Sequence, residues 1–274
     1  MGLTITCFAA SYAVALLLEI SRLWLRSGVR GALLVGWVGL GLVAHTLYLV
    51  QSASQADVPP LSNWRDWYLL AAWVLAAVYL VLLFRQPRVP IGLLVLPLVL
   101  GLVAVAALAT DAEPFPRNEA SRAWGAIHGI ALLVGTVVVL IGFVAGVMYL
   151  VQSWQLKHKT LPTHRFRLPS LEWLERLNYR SVLISAVMFG AGLISGLLLA
   201  QINRDPDRGA IDWRDPVIWS SALLFLWLVA VLAFGAFYEP ARQGRKVAYF
   251  TVSSFVLLVV VLALLISDSG AHAA

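Results

Sequence analysis

The chain has 274 residues, of which 61% are hydrophobic and 12% charged. A soluble domain carries about a quarter charged residues, and here the apolar residues form long blocks rather than one-sided stripes. That excludes an ordinary soluble enzyme and points to a polytopic helical membrane protein.

A span needs about 20 apolar residues, and eight runs qualify, at roughly 4–24, 31–51, 66–84, 90–110, 125–151, 181–202, 217–238 and 247–267. Lipid offers the backbone no hydrogen-bond partners, and the runs are continuous rather than alternating, so they read as helices and not barrel strands. The expected fold is all-α: one bundle of eight transmembrane helices over residues 1–274, in a single domain. The start, MGLTITCF, lacks a basic n-region and no A-x-A site stands near residue 25, so no cleavable signal is expected. Cys7 is the single cysteine, which leaves no intrachain disulfide and no CxxC pair.

Charge orients the spans. The odd connections are basic: Arg22, Arg26 and Arg30; Arg85 and Arg88; Lys157 to Arg180; Arg242, Arg245 and Lys246. The even connections are acid-rich: Asp57 and Asp66; Asp111, Glu113 and Glu119; Asp205 to Asp215. Positive loops stay in the cytoplasm, so both termini are expected outside. The net charge of +6 is then a topology signal, and no nucleic acid is needed to explain it.

Inside the spans, Glu19 is spaced to pair with Arg22 on one helix face. Gly192 and Gly196 form a small-xxx-small pair suited to close helix contact. In the longest inner loop, SLEWLERL reads as a short helix capped by Ser170, with Leu171, Leu174 and Leu177 on one face. It is expected to lie along the inner leaflet surface, with Trp173 at headgroup depth. His158 and His164 in that loop read as solvated side chains.

The connection QINRDPDRGAIDWRDPVIW, at 201–219, concentrates Trp213, Asp215 and Trp219. Two uses fit it: an interfacial anchor for helix ends, or a flat aromatic platform for a planar ligand. The remaining histidines are His45, His128 and His272. The topology sets His45 about six residues, roughly 9 Å, from the outer end of span two. His128 lies one turn into span five, four residues after Trp124, and His272 follows span eight. All three share the outer half with the tryptophans. Singly, each also suits a polar packing or interfacial role. Together, imidazoles beside indoles suit haem, since neutral imidazole ligates haem iron and indole faces stack on porphyrin. Zinc is the rival metal and would take three or four ligands.

These residues resemble the cytochrome c assembly membrane proteins of the CcsA and HemX type. Asp212-Trp213-Arg214-Asp215-Pro216-Val217-Ile218-Trp219-Ser220 is similar to part of their tryptophan-rich outer loop. Trp124-Gly125-Ala126-Ile127-His128 resembles the family's histidine two spans earlier, and Ser269-Gly270-Ala271-His272 its terminal histidine segment. Leu168-Pro169-Ser170-Leu171-Glu172 and Gly244-Arg245-Lys246 resemble inner-loop patterns, and His45-Thr46 the histidine of the HemX-like branch. The likeness is best over 124–274.

The resemblance implies an integral protein of the bacterial inner (cytoplasmic) membrane with the tryptophan loop on the periplasmic side. It would bind or relay haem for c-type cytochrome biogenesis, with the haem b-type and non-covalent. His128 and His272 would be axial iron ligands. Trp213, Trp219, Asp215 and Trp124 would border the porphyrin, and His45 would be a lower ligand. A CcsB-like membrane subunit and a thiol-reducing partner are implied, because Cys7 alone cannot reduce a haem-attachment thiol pair. The span 217–238 has no histidine where such proteins often carry one. The chain is therefore expected to serve a haem-attachment system rather than act as an enzyme on its own. Two other readings stand beside this: a HemX-like regulator of tetrapyrrole synthesis working through the cytoplasmic loop, and a small-molecule transporter.

Overall fold

The computed structural model describes residues 4–22, 29–55, 61, 63–87, 89–108, 119–158, 168–202, 216–237 and 245–271. Eight helices follow one another: α1 (Ile5–Ser21), α2 (Arg30–Gln55), α3 (Trp64–Arg85), α4 (Gly92–Leu108), α5 (Glu119–Lys157), α6 (Leu171–Ile202), α7 (Pro216–Phe237) and α8 (Arg245–Ala271). Among the described residues there is no strand. Six of the helices are long and apolar enough to cross a membrane, while α1 and α4 are shorter apolar helices of 17 residues each. Large apolar side chains cover the outside: Leu40 on α2, Ile194 on α6, Leu226 on α7 and Val256 on α8 are all more than half exposed. Water would not tolerate such a surface and lipid does. The chain is an integral membrane protein.

The helices fall where the apolar runs do, with one difference. The short helix expected over 170–177 does not stand apart; it is the first part of α6. Ser170 does cap it, accepting the Trp173 N–H at 3.4 Å. Beyond Leu177, however, the residues Asn178-Tyr179-Arg180-Ser181 contain no Gly or Pro to end the helix. Leu174 and Asn178 are both fully buried, so one packed face runs through the expected break.

The chain forms two compact units. Unit 1 holds α1 to α4 together with residues 155–169. In it α1 packs on α2 and α4, and α3 packs on the same two helices. A charged knot ties one end. Glu19 is fully buried and takes the Arg22 guanidinium at 3.0 Å and the Tyr79 hydroxyl at 2.9 Å. Arg22 also donates to the Pro87 carbonyl at 2.9 Å. Gly92, at the first residue of α4, leaves the room: a Cβ there would run into the Tyr79 hydroxyl and the Glu19 side chain. A buried carboxylate is tolerated only when paired and hydrogen-bonded, and α1, α3, α4 and the α3–α4 turn all contribute.

Unit 2 holds α5 up to Trp154 and α6 to α8. Here α6 packs on α7 and α8, and α7 on α8. Its buried polar groups are neutral. Thr251 donates to Asn178 Oδ1 at 3.1 Å, and Trp227 donates to Ser254 at 3.2 Å. Gly146 lets α8 come close: a Cβ there would sit 3.1 Å from the Ala248 carbonyl oxygen. Facing residues give the register. Gly135 meets Phe189, Gly192 meets Leu132 and Gly142 meets Ser181, so α5 and α6 run antiparallel. Phe143 stacks on Phe255 at 4.0 Å and Arg245 donates to Ser153 at 2.6 Å, so α5 and α8 do too.

Candidate functional site

The structure sets two histidines in two different environments. His128 lies on α5, half-buried, where its Nδ1 is 2.8 Å from the Gly192 carbonyl oxygen. A carbonyl only accepts, so Nδ1 carries the proton and Nε2 keeps the lone pair. Handing one ring N–H to a backbone carbonyl is what metal-ligating histidines commonly do; it fixes the tautomer and the ring plane. Gly196 makes the ring's berth, since a Cβ there would stand 3.0 Å from His128 Cε1. The small-xxx-small pair thus has a definite purpose: Gly192 supplies the acceptor and Gly196 the space.

His45 lies on α2 and is fully buried. Phe8 stacks on its ring with centroids 4.0 Å apart and planes 3° from parallel. The Tyr12 hydroxyl is 3.3 Å from Nδ1. Nε2 is buried with no hydrogen-bond partner among the described residues. An unmatched buried imidazole nitrogen is costly, and a metal or donor brought by a ligand would satisfy it.

Of the aromatic residues singled out in the sequence, Trp124 is 37% exposed, one turn before His128 on α5. Trp219, near the start of α7, is 60% exposed. Gly190 faces Phe225, and stepping six residues outward along each of these antiparallel helices brings Gly196 level with Trp219. Gly196 in turn holds His128, so the indole and the imidazole stand at one depth of unit 2. Trp213, Asp215 and His272 lie outside the described residues. Helix α8 is described through Ala271, the residue before His272. By the pairing of Phe143 with Phe255, the last turn of α8 reaches the depth of His128.

Phe8, Tyr12 and the glycine carbonyl could not be assigned from sequence, because each meets its histidine from a different helix. A tyrosine inside an apolar run is the one signal that was there, since its hydroxyl must find a partner. Among the described residues, no three His, Cys, Asp or Glu side chains gather as metal ligands. A zinc site made from such residues therefore has no support in the described part, whereas one imidazole on each side of a haem needs no such group.

A lipid-exposed helical bundle carrying ligand-ready imidazoles defines a class of cofactor-handling membrane proteins. The sequence profile of the family described as "Cytochrome C assembly protein" matches residues 61–272, and the chain belongs to that family. It is similar to the cytochrome c biogenesis protein CcsA of Synechococcus sp. (strain CC9605), with 23% identity over 248 residues, covering 81% of this chain and 80% of that protein. No solved structure matches.

Proposed function

We propose that this chain binds or relays haem for c-type cytochrome biogenesis at the outer face of the bacterial cytoplasmic membrane. The observation that carries the reading is the His128 tautomer. Its Nδ1–H is given to Gly192, which leaves Nε2 as a fixed lone pair. Bound haem would supply an iron whose axial positions take neutral imidazole, and family membership makes haem the cofactor to expect. His128 and His272 are the axial ligands, with Trp213, Trp219, Asp215 and Trp124 bordering the porphyrin. The haem is b-type and held without covalent bonds. His45 is a second imidazole, set in unit 1, for haem on its way from the membrane.

All eight helices cross the bilayer in this reading, with both termini and the tryptophan loop outside. A CcsB-like subunit and a thiol reductant complete the system, for Cys7 is the single cysteine. The test is spectroscopic. His128→Ala is expected to abolish the absorption bands of haem bound between His128 and His272. His272→Ala should weaken and shift them, with partial recovery on adding imidazole. A double variant that purifies with wild-type haem content and bands would sink the assignment.

A further inference from the structure

Unit 1 carries a second feature at the end where His45 lies. Seven side-chain polar atoms among the described residues are buried without a hydrogen-bond partner, and three of them gather there: His45 Nε2, Arg65 Nε and Tyr68 Oη. A chain of contacts joins Arg65 to His45. The Arg65 guanidinium donates to the Tyr48 hydroxyl at 2.8 Å, the Tyr48 ring lies 5.5 Å from Phe8, and Phe8 stacks on His45.

Register puts Tyr68 at the same depth. Glu19 on α1 meets Tyr79 on α3. Both are eleven residues along from Phe8 and Tyr68 respectively, and α1 and α3 run parallel. Tyr68 is itself only 6% exposed, and it follows Arg65 by three residues on α3, so the two share a helix side.

Arg65 Nε and Tyr68 Oη are both hydrogen donors, and a guanidinium with a phenol beside it is a receptor for an acidic group. Helix packing alone would not call for them, because apolar side chains would fill the same space without desolvating a cation. His45, in the same place, offers a nitrogen to whatever the acid belongs to. We infer that Arg65 and Tyr68 hold a carboxylate of the tetrapyrrole whose centre faces His45. This rests on the haem reading above and adds to it the residues that select the acid edge of the ligand.

The pair discriminates between a free acid and its ester, and the test exploits that. Full-length protein carrying His128→Ala and His272→Ala, which isolates unit 1, is titrated in detergent with haemin and with haemin dimethyl ester. Binding is followed by absorbance. Haemin is expected to bind about tenfold more tightly than the diester, the worth of one charge-assisted contact. Arg65→Gln and Tyr68→Phe should each erase most of that preference while leaving diester binding unchanged. His45→Ala should weaken both ligands alike.

Equal binding of haemin and diester would overturn the acid subsite and leave the haem reading intact. So would an Arg65→Gln loss that is the same for both ligands, since that is what a merely structural arginine gives. If neither ligand binds while the wild type still takes haemin, only unit 2 is a site and the inference fails. If the wild type is also silent, both readings fail together. A phospholipid phosphate is the other acid that could sit there. Stabilisation of the wild type but not of Arg65→Gln by phosphatidylglycerol over phosphatidylcholine nanodiscs, without any haemin preference, would assign the pair to lipid.

Discussion

His45 and His128 are each held through Nδ1, but by different parts of the chain. Unit 1 holds its ring with side chains, the Tyr12 hydroxyl and the Phe8 face. Unit 2 holds its ring with backbone, the Gly192 carbonyl, in a space opened by Gly196. The contrast extends to the rest of each unit. Charge is buried at the Glu19–Arg22–Tyr79 knot in unit 1, while unit 2 buries amides and hydroxyls around Asn178 and Thr251. A side-chain clamp can be released by deleting one atom. A backbone clamp can be disturbed only by moving a helix, so glycines become its adjustable parts.

The largest expected effect is in the charged knot. Arg22→Ala leaves the Glu19 carboxylate buried and unpaired, which should cost about 3 kcal/mol or more in unfolding free energy measured in detergent. Glu19→Gln in the same chain should recover most of it, because the amide can still accept from Tyr79. By comparison Asn178→Leu, in the neutral network, should cost nearer 1 kcal/mol. A similar loss in both units would erase the distinction between them.

Next come the glycines. Gly196→Ala should displace the His128 ring and shift the bound-haem bands, with a stability cost of about 1–3 kcal/mol for overpacking. Gly192→Ala, which meets Leu132 at 2.6 Å rather than the ring, should cost a similar amount with a smaller spectral change. Unaltered bands in Gly196→Ala would mean that the glycine does not set the ring.

Smaller still is Tyr12→Phe. It strands a buried Nδ1 on His45 at a cost of about 1 kcal/mol and should leave the His128 haem signature untouched. The smallest is Gly36→Ala, a control with no atom within 4 Å of the added methyl. It should be neutral, or stabilising by up to about 1 kcal/mol through helix propensity.

The helices were legible because a span writes itself as a continuous apolar run, and all eight runs became helices. The Glu19–Arg22 pair was legible too, since i,i+3 spacing sets it locally. Tyr79, which completes that knot, lies sixty residues away in sequence and left no local sign. The Gly192–Gly196 pair announced a close contact without saying that a histidine would fill it. The end of the expected loop helix was misjudged for a different reason. Its polar tail, Asn178 to Ser181, looks like a boundary, yet Asn178 and Ser181 are buried among neighbouring helices. Tertiary partners can make a polar stretch interior, and sequence pattern alone does not weigh them. For the site, His45 and His128 were named from their types and depth, but the tautomer of one and the unmatched nitrogen of the other depend on three-dimensional neighbours.

The brevity of α1 and α4 bears on where such a protein can work. Seventeen residues of helix rise about 25 Å, whereas the hydrocarbon layer averages about 30 Å. On the eight-span reading, unit 1 must pinch the bilayer around two of its helices, at a cost of fractions of a kcal/mol for each ångström of mismatch. Acyl chain length then becomes a variable acting on the helix that carries Phe8 and Tyr12. A membrane stiffened or thickened by longer lipids would pull on the clamp of His45, and a thinner one would relax it.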